Sequence, residues 1–124
     1  MYEISVEDTF AAAHKLRGYK GKCEDLHGHN YKVRVTLAGK ELDSTGLLCD
    51  FVVVKQTIQV VLRALDHKYL NELPPFDTTN PSAEHIARYI FNEAKKQLPP
   101  CANGAGIASV TVWETDTACV TYRP

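Results

Sequence analysis

Two runs of strict alternation constrain the fold more than anything else in the chain. From Tyr2 to His14 the even positions Tyr2, Ile4, Val6, Phe10 and Ala12 are mostly apolar, and Glu3, Ser5, Glu7 and Thr9 between them are polar. From His29 to Ala38, Tyr31, Val33, Val35 and Leu37 alternate with Asn30, Lys32, Arg34 and Thr36. Successive strand side chains point to opposite faces, so each run predicts a half-buried strand. The apolar faces need a cover, and helix-spaced residues provide it. Val54, Ile58, Val61, Leu62 and Leu65 predict a helix capped by Asp50 and ending near Asp66. Ala83, Ala87, Ile90 and Ala94 predict a second, capped by Asn80 or Ser82 and stopped by Pro99-Pro100. The runs S-V-T-V-W-E and A-C-V-T-Y-R, separated by T-D-T, then predict a hairpin.

This order of elements implies an α+β domain spanning residues 1–124, a four-stranded antiparallel sheet with two helices on one face. The chain of 124 residues suits a single core. An open sheet has two edges that must be covered, charged or paired, so association with another copy is expected. A formal net charge of -1 removes the bulk electrostatic case for nucleic acid or an anionic membrane, so no partner of either kind is expected. The opening M-Y-E-I-S-V-E-D lacks a basic region followed by an apolar run, and no apolar segment approaches the ~20 residues of a bilayer span. A cytoplasmic location follows as the expectation. The four cysteines, Cys23, Cys49, Cys101 and Cys119, are scattered without a C-x-x-C pair, which favours reduced thiols, with Cys49 and Cys119 read as small core residues.

The parity of the histidines points to chemistry. His14 shares the parity of the apolar face of the first strand, and His29 that of the second. His27 joins them if the chain stays extended through Gly28. Three neutral imidazoles crowded together offer acceptors without enough donors, whereas a Zn²⁺ ion satisfies all three. Three protein ligands leave one tetrahedral position for water or substrate, as in a catalytic zinc site. Gly28 is expected to clear space where the metal or substrate approaches. The competing reading makes H-G-H a solvated turn and His14 a hydrogen-bonded core residue.

Cys23 lies in a loop with Lys20 and Lys22, whose positive charge would lower its pKa. From local sequence it is a base or nucleophile, a fourth structural ligand, or an incidental loop thiol. Lys15, Arg17, Lys20 and Lys22 would meet a triphosphate or form a solvated cationic loop. Glu114 has the parity of Val110 and Val112, which turns its carboxylate toward the apolar side; a solvated strand end is the alternative. Asp66-His67 reads locally as a polar helix terminus.

The motifs F-A-A-A-H-K-L, C-E-D-L-H-G-H-N-Y, L-D-H-K-Y-L-N, N-P-S-A-E and V-W-E-T, in this order across nearly the whole chain, resemble the 6-pyruvoyl-tetrahydropterin synthase family. The three residues between Cys23 and His27 resemble the bacterial branch that forms 6-carboxy-5,6,7,8-tetrahydropterin. The resemblance implies the tunnelling fold, with subunits joining their sheets into a barrel, a homo-oligomer that is a hexamer in that family, and active sites at subunit interfaces. It implies Zn²⁺ held by His14, His27 and His29, Cys23 as the base, Asp66 and His67 as proton-shuttling residues, and Glu114 binding the pterin. The implied substrate is a pterin triphosphate. A noncatalytic pterin- or metal-binding module and a zinc hydrolase are the rival classes; no H-E-x-x-H helix supports the latter.

Overall fold

The computed structural model describes residues 1–21, 24–101 and 103–124. Both alternating runs are strands: β1 spans Tyr2–His14 and β2 spans His27–Gly39. They pair antiparallel along their full length, with Val6 opposite Val35, Phe10 opposite Tyr31, Ala12 opposite His29 and His14 opposite His27. This register puts the apolar positions of both strands on one face, where Phe10 and Tyr31 stack with ring centroids 4.7 Å apart. Opposed side chains of this kind are the stabilising unit of a sheet.

Helix α1, Phe51–Arg63, begins at Asp50, whose carboxylate accepts from the Val52 N–H at 2.9 Å. It buries Val54, Thr57, Ile58, Val61 and Leu62, and packs on β1. Leu65, placed on this helix by the sequence, is buried just beyond its end. Helix α2, Ala83–Gln97, is capped by Ser82, which accepts from the His85 N–H at 3.2 Å. Ile86 and Phe91 join the expected Ala83, Ala87, Ile90 and Ala94 in its buried face. The face rests on β4, Gly106–Thr115, and β5, Ala118–Tyr122, which form the predicted hairpin.

The sheet departs from the expected four strands. A short fifth strand, β3, Lys68–Tyr69, runs parallel to β1 beside Ala12 and Ala13, giving a mixed sheet in the order β3-β1-β2-β4-β5. Two residues carry too little periodicity to read as a strand; β3 exists because the turn after α1 returns the chain to the β1 edge. On the sheet face opposite the helices, Arg34 pairs with Glu7 at 2.7 Å, and Lys32 and Arg34 lie over the Trp113 ring. Gly39 is required at the end of β2, because a Cβ there would lie 2.9 Å from Leu48 Cδ1 and 3.0 Å from Ala105 Cβ. Among the described residues no helix is long and apolar enough to cross a membrane.

Ile90 is fully buried between α2 and the sheet. Ile90→Ala is expected to cost about 2–5 kcal/mol in urea unfolding. Gln56→Ala, on the exposed side of α1, should stay within about 0.5 kcal/mol of the parent.

Candidate metal centre

At one end of the sheet, β1 finishes on His14 and β2 starts on His27, so the antiparallel register sets these residues directly opposite. His29 is two residues along β2 and returns to the same face. The three imidazoles are mutually close to perpendicular, with centroids 4.7, 5.0 and 4.8 Å apart. Glu114 joins them: its Oε1 lies 2.9 Å from His29 Nε2 and 3.3 Å from His14 Nε2. One donor atom from each of His14, His27, His29 and Glu114 falls within 4.8 Å of all the others.

The hydrogen bonds behind the rings determine what the cluster can hold. His14 Nδ1 is 2.7 Å from the Pro81 carbonyl and His27 Nδ1 is 2.9 Å from the Asp25 carbonyl. A carbonyl only accepts, so both Nδ1 atoms carry the proton, and in neutral rings both Nε2 atoms are left with lone pairs. Those two nitrogens are 3.1 Å apart. His29 Nε2 is buried without a hydrogen bond of acceptable geometry, although Glu114 Oε1 is close to it. Lone pairs facing one another across such a gap call for a cation. The second-nitrogen bonds to backbone carbonyls are also the usual way a protein fixes the tautomer of a metal-binding histidine. A tetrahedral ion with bonds of about 2.0–2.1 Å needs donors about 3.3 Å apart, close to the separations here. The four residues therefore fit a divalent metal ion.

Burial holds the His29 imidazole below the ordinary histidine range; the Glu114 carboxylate pulls the other way, and His14 and His27 reinforce the lowering. The ring is thus neutral and ligand-ready. Tyr31, whose hydroxyl is 3.2 Å from His14 Nδ1, has its phenol pushed upward, first by burial and then by Glu114 and Glu24, and stays protonated.

Glu114 owes its position to an irregularity in β4. Pairing with β5 runs Trp113 to Cys119 and then Thr115 to Ala118, so Glu114 is the extra residue of a β-bulge. Pairing with β2 ends at Lys32 and Trp113. Bulges re-aim side chains, and this one accompanies the turn of the carboxylate toward the histidines. Strand parity indicated the direction, but the closeness to the imidazoles was not legible in it.

Asp66 and His67 form a pair of their own. His67 Nδ1 donates to Asp66 Oδ2 at 2.8 Å, while Asp66 Oδ1 accepts from the Ala11 N–H at 2.9 Å. The His67 N–H in turn donates to the Ala11 carbonyl at 2.6 Å. His67 has φ 57°, a left-handed conformation uncommon outside glycine, and its side chain is 82% exposed. A residue held in that region by two contacts to one strand position suits a functional role. The pair stands outside the four-residue cluster, but a groove of about 500 Å³ is lined by both His29 and His67.

Gly28 does not have the expected role. It points away from His27 and His29, into that groove, where a Cβ would make only an ordinary 3.5 Å contact with the Ala12 carbonyl. Arg17 is a structural cation: Nη2 donates to the Phe76 carbonyl at 2.8 Å and the Asn71 carbonyl at 3.2 Å. Asn71 and Asn80 pin the same segment by bonding both backbone groups of Lys15 and Arg17 respectively, roles not evident from the sequence. Cys119 is exposed, against the expectation of a core residue, because it faces outward on β5; Cys49 is half-buried beside Cys101. Cys23 and Lys22 lie outside the described residues.

An α+β sheet with two helices on one face and three histidines and a glutamate converging at its end defines a class of metal-site proteins. Within it, the chain belongs to the 6-pyruvoyl tetrahydropterin synthase family, whose model matches residues 3–124. It is 35% identical to 6-carboxy-5,6,7,8-tetrahydropterin synthase of Haemophilus influenzae, over 99% of each chain. It is 37% identical to the protein of that name from Synechocystis, over 98% of this chain and 93% of the other. The human 6-pyruvoyl tetrahydrobiopterin synthase is 32% identical over 98% and 90%. The structure of Caenorhabditis elegans 6-pyruvoyl tetrahydropterin synthase superposes with a TM-score of 0.85 at 28% identity, covering 99% and 95% of the two chains.

Two outcomes test these environments. The Asp66 carboxyl is held below the usual range by the Ala11 N–H first and by His67 second. A lowered folded pKa adds stability that is present above the unfolded value of about 3.9 and is lost as pH falls through the folded value. Asp66→Asn should therefore lower the urea midpoint at pH 7, and the gap should narrow at pH 3. Burial, and then the bond with Cys101, pushes the Cys49 thiol up to about 12. Mass-mapped alkylation at pH 8 should label the exposed Cys119 before Cys49.

Proposed function

We propose that this protein converts 7,8-dihydroneopterin triphosphate to 6-carboxy-5,6,7,8-tetrahydropterin, releasing acetaldehyde and triphosphate, on the route to queuosine and other 7-deazapurines. The observation that carries this reading is the convergence of three imidazoles with lone pairs directed at one point, in a chain belonging to a family of pterin synthases. The relatives named for the carboxypterin reaction support that branch. So does the interval of Glu24, Asp25 and Leu26 between Cys23 and His27, which resembles the bacterial form.

His14, His27 and His29 would hold Zn²⁺, their carbonyl-bound Nδ1 atoms keeping each Nε2 of His14 and His27 free to ligate. Bound there, the ion would act as a Lewis acid on the substrate's side-chain oxygens, easing charge that develops as a neighbouring C–H proton leaves. Cys23 is assigned as the base that takes the proton. His67 moves protons at its exposed Nε2, since Nδ1–H is engaged by Asp66, whose carboxylate orients the ring and stabilises its cation. Glu114 supplies a carboxylate for the ring N–H and exocyclic amine of the pterin.

The exposure of His67, and its place outside the four-residue cluster, support an active site completed between copies of the chain. The exposed β5 edge favours a homo-oligomer, a hexamer by resemblance to the family. A cytoplasmic setting agrees with free thiols at Cys49, Cys101 and Cys119.

Formation of 6-pyruvoyl-tetrahydropterin is the second reading, favoured by the human relative, and would eliminate triphosphate without cleaving the side chain. Zinc-loaded protein given dihydroneopterin triphosphate should yield acetaldehyde and a product with the mass of the carboxypterin; a pyruvoyl mass selects the second reading, and no turnover sinks both. Cys23→Ala should keep the metal and lose about 10²–10⁴-fold in rate. Loss of metal and of folding together would instead make Cys23 a structural ligand.

A further inference from the structure

The fourth corner of the cluster raises a question that the three histidines leave open. A catalytic site keeps one position for substrate, whereas four protein donors describe a closed one. Here the Glu114 carboxylate stands in that corner, 2.9 Å from His29 Nε2 and 3.3 Å from His14 Nε2. Its closeness to His29 lacks hydrogen-bond geometry, so a direct bond between them does not explain it. Its backbone is in register with neither neighbour: the β2 pairing stops at Trp113 and the β5 pairing passes over Glu114 at the bulge. With 34% of its side chain exposed, the carboxylate can turn out of the cluster without dismantling the core.

We propose that Glu114 has two mutually exclusive partners: the metal ion when no pterin is bound, and the donor edge of the pterin ring when one is. A carboxylate that accepts from a ring N–H and an amine uses both oxygens and cannot also ligate the ion. Pterin binding therefore removes Glu114 from the fourth position and opens it to the substrate's side-chain oxygens in the same event. The closed resting site keeps water and small anions off the metal, and the open one exists only with the ring already seated. This inference rests on the metal and pterin reading above. It adds an exchange of ligands, with no covalent bond made or broken.

The exchange is read with cobalt(II) in place of zinc, azide as a probe for an open position, and neopterin as a pterin without the triphosphate. Visible absorption follows azide binding, and pterin fluorescence follows neopterin. The wild-type cobalt protein should need about tenfold or more azide than Glu114→Ala, in line with the 10–100-fold effects of perturbing groups around a metal. Saturating neopterin should bring the wild-type azide requirement down to that of the variant. Glu114→Gln, which keeps the shape and removes the charge, should behave as Glu114→Ala and guards against a folding defect. Equal azide affinity in wild type and both variants overturns the proposal while leaving the three-histidine site intact. Neopterin that binds but leaves wild-type azide affinity unchanged also overturns it. A protein that takes up no cobalt overturns the metal reading itself, and one that takes up cobalt but no neopterin overturns the pterin reading; each removes the proposal with it.

Discussion

Everything at the functional end of this molecule depends on the register between β1 and β2. The same pairing that sets Phe10 against Tyr31 and Val6 against Val35 also sets His14 against His27 and Ala12 against His29. A slip of one residue in either strand would send that strand's apolar row and its histidines to the opposite face together. The hydrophobic core therefore holds the metal site in place, because burying Val33, Val35 and Leu37 leaves His27 and His29 no other direction. Packing energy spread over many residues fixes the direction of a few polar ones.

A second layer of backbone contacts refines what the register begins. Pro81, just before the cap of α2, presents its carbonyl to His14, so the helix that covers the sheet also selects the tautomer of a ligand. Asn71 and Asn80 extend the order beyond β1 by satisfying the backbone of Lys15 and Arg17 as a strand would. Buried polar groups are costly unless paired, and these asparagines let the chain leave the sheet without abandoning that rule. Ala11 plays the corresponding part for Asp66 and His67, giving one N–H and one carbonyl to hold the pair in a strained turn at the sheet edge.

The chemistry is thus divided between two rigid pieces. The four-residue cluster faces the covered side of the sheet, and the Asp66–His67 pair stands exposed at its edge. Each is internally complete in its hydrogen bonds, apart from the Nε2 atoms and the carboxylate that meet at the cluster. In a family of pterin synthases this division suits a reaction with distinct metal-binding and proton-moving parts.

Strand and helix periodicity determined the α+β class, both helix caps and the side to which His14, His27 and His29 point, because direction along a regular element follows from local backbone geometry alone. Resemblance added roles for Cys23, Asp66, His67 and Glu114 that their spacing did not carry. Only the tertiary structure decided distance. The short strand β3, the bulge that brings Glu114 against the imidazoles, the carbonyls of Asp25 and Pro81 behind them and the outward turn of Gly28 and Cys119 are matters of register and packing between segments remote in sequence. The chain states which way each histidine looks; the folded sheet decides what it finds there.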